Sequence, residues 1–340
     1  MAIKRRYWTV MPPMPAAALA AATQQCEALG LEGIWSTQLC GPPFVTLAAA
    51  AMSTKRLKLG SGIALAFVRS PLETACAALD VDTISGGRMV LGLGPSVRWW
   101  NEDWFGVHYG KPIAHLREAV GVIRTIIERG HSGELGPIEG EYYKLNLERF
   151  KTLAPPVRPR IPIYLPGLFD TAMQVAGEIA DGLAPHPIAS EQWIFEHIVP
   201  NMKKGLDKAG RKRSDIDLNV WLYVAVNANR KEAIAETRRT IIFYAQHSQY
   251  DKYFTANGFG TEARAIAAAA EAKAEAAMER ACPDAMVEKF AIIGAPDEVR
   301  RRVDRIAEVA DSLTLCPPYV AISPERIGFY NEQIAKTFYV

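Results

Sequence analysis

Short runs of β-branched and aromatic residues alternate with longer helical patterns along the whole chain, and this alternation limits the fold more than any other feature. Strand runs are read at 7–11, 33–36, 57–67, 89–93, 161–165, 182–185, 218–226 and 312–316. Pro12 and Pro13 end the first, because proline gives up the ladder donor and fixes φ. The first helix opens near Pro15 and stops at Gly30, which can take the left-handed C-terminal conformation. A helix at 47–52 follows the second strand. The last helix, 296–310, sets Val299, Val303 and Ile306 on one face and arginines on the other. Strict alternation with no half-and-half division implies a TIM (β/α)8 barrel of α/β class rather than an open sheet.

The chain is read as a single barrel domain over 1–340 with insertions after strands four and seven. Residues 126–160 carry Gly130, Gly133, Gly136 and Gly140 and then Pro155, Pro156 and Pro159, so they read as a loop insertion with a short hairpin at 142–147. Residues 246–289 include the alanine-rich stretch 262–280, strong in helix propensity and poor in apolar bulk. They read as helices on the rim, either a packing or dimer element or a substrate lid.

With 39 basic and 37 acidic side chains the net charge is +2, which gives no electrostatic reason to expect nucleic acid or an anionic membrane as partner. The five cysteines are odd in number and hold no CxxC pair, against a disulfide framework and against a metal site. The start MAIKRRYWTVMPP lacks a signal-peptide apolar run, and no segment reaches the ~20 apolar residues of a membrane span. A cytoplasmic protein is expected.

A barrel of this kind builds its site at the C-terminal ends of its strands. There the sequence places Met11 and Pro12; Ser36, Thr37 and Gln38; Gly62, Ile63 and Ala64; Gly94, Pro95 and Ser96; Pro166 and Gly167; Pro185 and His186; and Pro317 and Pro318. This set is poor in acids, bases and metal ligands, which disfavours metal-dependent hydrolysis and Schiff-base chemistry. A reaction carried by an organic cofactor in a dry slot needs few protein side chains. Gly60-Ser-Gly62, Gly92-Leu-Gly94 and Pro166-Gly167 mark either the close approach of a flat ring to bare backbone or small residues demanded by barrel packing. Gly92-Leu-Gly94 lacks the third glycine of a dinucleotide fingerprint. The turn 166–171, opening a helix, is a candidate anion seat. His186 faces either the site or the rim, while His108, His115, His131, His197 and His247 are read as solvated. Trp99, Trp100, Trp104 and Phe105 form either a packed lid or a subunit contact.

Arg69-Ser-Pro71 through Leu79-Asp80, Ile84-Ser-Gly-Gly-Arg88 and Val90-Leu-Gly-Leu-Gly94 resemble the signature of the luciferase-like flavin-dependent oxidoreductases. The segments 28–35, 104–106, 161–164, 176–182 and 294–296 follow in that family's order. The resemblance implies an eight-stranded α/β barrel, commonly dimeric, using either reduced FMN with oxygen or the 5-deazaflavin coenzyme F420. Through Gly-Ser-Gly-Ile and Gly-Leu-Gly-Pro the chain is more similar to the F420 group, especially the methylene-tetrahydromethanopterin reductases and their bacterial relatives. In that group a non-prolyl cis peptide on strand three supports the coenzyme ring, and its place here would be Gly62–Ile63. The Asp-His pair and the glutamate of the sugar-phosphate branch are replaced by Thr37-Gln38 and Pro95, so a sugar phosphate is not the expected substrate.

The resulting expectation is an F420-dependent oxidoreductase that moves hydride to or from a small apolar or aromatic substrate. Gly62, Ile63 and Ala64 back the ring; Gly94, Ser96 and Asn101 flank it; Pro166, Gly167 and Leu168 seat the phosphate tail; Thr37, Gln38 and Pro95 complete the cofactor contacts. Glu102 and His186 are the candidate proton-handling residues, with the coenzyme and water as a further source. An FMN-dependent monooxygenase and a non-catalytic ligand-binding barrel are the competing readings. A homodimer is expected.

Overall fold

The computed structural model describes residues 5–39 and 41–339; Cys40 lies outside them. The eight main strands are β1 (Arg6–Val10), β2 (Gly33–Ser36), β3 (Lys58–Ser61), β4 (Met89–Gly94), β5 (Ile163–Gly167), β6 (Gly182–Pro185), β7 (Asp217–Val226) and β8 (Ser312–Cys316). Helices that include α1 (Ala16–Ala28), α2 (Pro43–Ser53), α3 (Pro71–Ser85), α4 (Pro112–Arg129) and α5 (Asp170–Ile179) alternate with them. All neighbours among these strands are parallel, and the fold class is the (β/α)8 barrel that the alternation implies.

Contacts divide the chain into two compact units: residues 6–184 with 200–218, and residues 185–199 with 219–339 and Arg5. In the first unit β1 through β6 run side by side, and the start of β7 pairs with β6 through Asp217 and Leu218. In the second, β7 continues beside β8 from Asn219↔Ser312 to Tyr223↔Cys316, then beside the short strand Ile292–Gly294.

The packing of the first unit explains much of its glycine pattern. Trp8 lies opposite Gly33 and Trp35 opposite Gly60, and a Cβ on either glycine would strike the opposing indole at 2.4 and 2.2 Å. The two indoles stack at 4.4 Å and both are fully buried. Two aromatic side chains therefore occupy the room that two glycines leave free, with burial of large apolar area as the driving force.

Two clamps fix the helices around this sheet. All five donors of Arg88 are used: Nε to Ser85 O at 2.7 Å, Nη1 to Thr54 Oγ1 and Leu57 O at 2.9 and 2.7 Å, and Nη2 to Ala51 O and Thr54 O at 3.0 Å each. The guanidinium thus caps the end of α2. The Glu118 carboxylate on α4 accepts from the backbone N–H groups of Glu141, Tyr142 and Tyr143 at 2.7 to 3.2 Å, which ties the insertion after β4 to that helix.

Several boundaries differ from expectation. The run 57–67 is interrupted after Ser61 by a cis Gly62–Ile63 peptide, at the place the resemblance implied, and resumes as Ala64–Leu65 against Leu93 and Gly94. The loop read from 126 begins later, because His115, Ala119, Val122 and Ile126 continue a buried helical face and α4 runs to Arg129. The hairpin joins Pro137–Glu139 to Lys144–Asn146 and so starts before 142. The second insertion is helical over Asp251–Ala256, Gly260–Glu271, Glu275–Ala281 and Asp284–Phe290, anchored by buried Tyr253, Phe254 and Phe290. In the helix Pro296–Ile306 the residues Val299, Val303 and Ile306 are fully buried.

Candidate functional site

In the first unit the ends of β2 to β5 leave Thr37, Gly62, Ile63, Pro95, Ser96 and Pro166 partly open to solvent, and none carries a charge. Backbone bonds hold this rim in place: Gly62 N–H donates to Ser36 O at 2.9 Å, Gln38 N–H to Ile63 O at 3.3 Å and Ala66 N–H to Gly94 O at 2.9 Å. Ser96 adopts φ 56°, left-handed for a residue with a Cβ, and its carbonyl accepts from Tyr109 Oη at 2.8 Å. The Ser36 hydroxyl is buried with no bonded partner.

The other expected contact residues are placed differently. Gln38 is buried, and its Oε1 accepts from Leu65 N–H at 3.0 Å and Arg69 Nη2 at 2.8 Å, so it braces the loop after β3. Ala64, Gly94, Gly167 and Leu168 are buried. Gly94 is not bare backbone: a Cβ there would meet Ile63 Cδ1 at 2.1 Å and the Pro166 ring at 2.8 Å. At Gly92 it would meet Ser61 O at 1.9 Å, and at Gly167 the Met173 side chain at 2.8 Å. Among the two readings of these glycines, packing is the one the geometry favours. Asn101 is fully buried and donates to Pro95 O and Val97 O at 2.9 and 2.8 Å, a brace of the loop after β4 rather than a flank for a ligand. Glu102 pairs with Arg98 at 2.6 Å near the surface, so its carboxylate is engaged by that guanidinium. At the start of α5 the Phe169 cap contributes no side-chain bond, and the Asp170 carboxylate stands in the first turn, accepting from Asn201 Nδ2 at 3.0 Å. A negative charge at this position opposes the expected anion seat.

Arg69 was not among the expected site residues. Its guanidinium lies 5.4 Å over the Phe44 ring, its Nε is buried with no bonded partner, and burial pulls its pKa down. His115, read as solvated, is instead buried, with its ring stacked between Phe67 at 3.7 Å and Tyr142 at 4.2 Å. Its Nδ1 lies 3.1 Å from Tyr109 O, which makes Nδ1 the protonated nitrogen, and Nε2 then accepts from Tyr143 Oη at 2.9 Å. Burial pulls the pKa of this imidazole down. The stack floors a cleft of about 460 Å³ that His108, Lys111 and Glu141 also line. The buried face of α4 was the signal for His115, one helical turn before Ala119. Trp99, Trp100 and Trp104 pack against one another at 5.0 to 5.6 Å in and before a π-helical turn at 100–104, with Trp104 half exposed.

In the second unit His186 follows β6. Its Nδ1 accepts from Ile188 N–H at 3.3 Å, so Nε2 carries the proton and faces Tyr250 Oη at 3.2 Å. Burial pushes its pKa down to about 3, so it stays neutral at physiological pH and serves as a hydrogen-bond donor rather than as an acid. Its ring meets Tyr244 edge-on at 4.8 Å. Tyr223 Oη and Tyr244 Oη lie 2.7 Å apart, and Tyr244 Oη and Tyr319 Oη 3.4 Å apart. Sequence reading missed this phenol cluster because its members come from β7, a following helix and the loop after β8. Among the described residues no group of His, Cys, Asp and Glu is placed to hold a metal ion, and no helix is long and apolar enough to cross a membrane.

Comparison with known proteins adds the following. The family model described as luciferase-like monooxygenase matches residues 2–313. An uncharacterized protein of Mycobacterium tuberculosis is 32% identical over 322 residues, 93% of this chain and 94% of its own length. The 5,10-methylenetetrahydromethanopterin reductase of Methanopyrus kandleri is 31% identical over 284 residues, covering 77% of this chain and 76% of the reductase. Among solved structures, the coenzyme F420-dependent tetrahydromethanopterin reductase of that organism superposes with a TM-score of 0.82 at 23% identity, over 98% of each chain. The oxygenating constituent of 3,6-diketocamphane monooxygenase from Pseudomonas putida, in complex with FMN, superposes with a TM-score of 0.68 at 16% identity, over 99% of this chain and 98% of its own.

Proposed function

The chain belongs to the luciferase-like monooxygenase family, and from that premise we propose that it is a coenzyme F420-dependent oxidoreductase acting on a small apolar or aromatic organic substrate. The observation that carries this reading is the uncharged rim of Thr37, Gly62, Ile63, Pro95, Ser96 and Pro166 at the ends of β2 to β5. Such a rim fits the neutral face of a planar ring, and the unpartnered Ser36 hydroxyl is a donor suited to a ring heteroatom. When bound, the coenzyme supplies a hydride-carrying ring carbon. The residues of the rim orient and dry the slot, with Ile63 and Pro166 as its apolar surfaces. Arg69, whose Nε lacks a partner, offers positive charge to an anionic group of coenzyme or substrate. His186 Nε2 holds its proton toward Tyr250 Oη in the neutral state.

The choice of deazaflavin rests on the sequence resemblance to the F420 group, with the coenzyme F420-dependent reductase structure in its favour. A second reading, an FMN-dependent monooxygenase, has the FMN-bound neighbour in its favour. Fluorescence titration of the purified protein with oxidised and reduced F420 and FMN separates them. Binding of F420 without FMN supports the first, and FMN binding with substrate-dependent oxygen uptake the second. No binding of either leaves a barrel that serves only to hold a ligand or partner.

The protein is further proposed to work as a cytoplasmic homodimer. The α2 sequence PFVTLAAAAMS carries no charge, and Val45 and Met52 on its outer side are 68% and 80% exposed. Light scattering on the titrated samples gives the mass, and a monomer at micromolar concentration would discard the dimer.

A further inference from the structure

The phenol cluster of the second unit has no role in the rim that would hold a coenzyme, yet its hydroxyls form a continuous series. Tyr223 stands on β7, three residues before Val226 at its end, and is paired in register with Cys316, the last residue of β8. Its side chain is buried. From Tyr223 Oη the next hydroxyl, Tyr244 Oη, is 2.7 Å away, a full hydrogen bond, and Tyr319 Oη is 3.4 Å beyond that. Tyr319 is 43% exposed. Each phenol is both donor and acceptor, and among the described residues no carboxylate or cation bonds to these three hydroxyls. We propose that Tyr223, Tyr244 and Tyr319 form a proton relay between the buried interior at Tyr223 of β7 and solvent.

The relay rests on geometry alone, whereas its use in catalysis rests on the function proposed above. Hydride addition to a carbonyl, imine or conjugated double bond leaves an anion that needs one proton. For such an anion lying beside Tyr223, the Tyr223 O–H bond breaks as the new bond from the proton to the anion forms. The Tyr244 proton passes to Tyr223, the Tyr319 proton to Tyr244, and water reprotonates Tyr319. Every phenol ends neutral, and nothing besides the substrate and its hydride donor changes oxidation state. The 3.4 Å step between Tyr244 and Tyr319 must shorten for transfer and is therefore the slow one. Burial raises the pKa of Tyr223 and Tyr244, which favours the neutral phenol at both positions.

Proton exchange at Tyr223 tests the relay without coenzyme or substrate, so its outcome does not depend on the proposed activity. With 13Cζ-labelled tyrosine in equal parts H2O and D2O, a hydroxyl that exchanges fast gives one line and one that exchanges slowly gives two. Tyr223→Phe assigns the signal. The expected result is one line in the native protein and two in Tyr244→Phe and Tyr319→Phe, a slowing of at least tenfold. Tyr319 is exposed, so its substitution keeps the test available if Tyr244→Phe does not fold. Two lines in the native protein, or one line in the folded variants, would overturn the relay.

Discussion

Arg88→Met isolates what one guanidinium does for the junction of α2, α3 and β4. The apolar stem is nearly preserved, so the loss is that of five hydrogen bonds, four of them to backbone carbonyls and one to the Thr54 hydroxyl. Charged donors contribute about 1.5–3 kcal/mol each when fully buried, which would sum to about 10 kcal/mol. Arg88 is only half-buried, however, so solvent screens part of its charge and the sum overstates the effect. A loss of about 3–4 kcal/mol is expected, with the cost concentrated at the end of α2, where Arg88 bonds the Ala51 and Thr54 carbonyls. Arg88→Lys keeps the charge but offers three donors from a single nitrogen, and an intermediate loss of about 2 kcal/mol is expected. Urea unfolding followed by circular dichroism reads both values. A loss under about 1 kcal/mol in Arg88→Met would refute the view that this side chain is a structural clamp.

Two further substitutions test the packing and the electrostatics. Gly92→Ala places a Cβ 1.9 Å from a backbone oxygen that cannot swing away, so a loss of about 3 kcal/mol or more, or no folded protein, is expected in the same assay. A variant as stable as the native chain would show that β4 can shift. His186 has a folded pKa near 3 against an ordinary value of 6.5, so below pH 6.5 the unfolded chain binds its proton first and stability falls as the pH drops toward 3. Between pH 7 and pH 5 this one group accounts for about 2 kcal/mol, and His186→Gln should lose that much less over the same interval. Equal pH dependence in the two proteins would mean that the imidazole is not held in a desolvated state.

The strands of the barrel were legible because each is a compact apolar run flanked by turn residues, and β2, β6 and β8 fall where the sequence places them. Interruptions were less so. Nothing in the run 57–67 distinguishes a continuous strand from one that breaks after Ser61, since the residues on both sides suit a strand equally. The glycines were ambiguous for a related reason: a missing Cβ shows in the sequence, but what fills its place is decided by register with another strand. Trp8 and Trp35 fill two such places from the preceding strand, and Ile63 fills one from the turn after β3. Candidate site residues close together in sequence, such as Gly62, Ile63, Pro95 and Ser96, were found at the rim. His115 and the three phenols of the relay were not, because burial and partners across long sequence separations carry their roles.

Glu118 gives the segment after β4 a mechanical property that its glycines and prolines conceal. One carboxylate receives three successive amides, so lifting the 141–143 stretch away from α4 would strip partners from one acceptor and three donors at once. The hairpin and the helix should accordingly travel as one piece, and any rearrangement around the Phe67 cleft would have to come from the 105–111 side, where Gly106 and Gly110 both have positive φ.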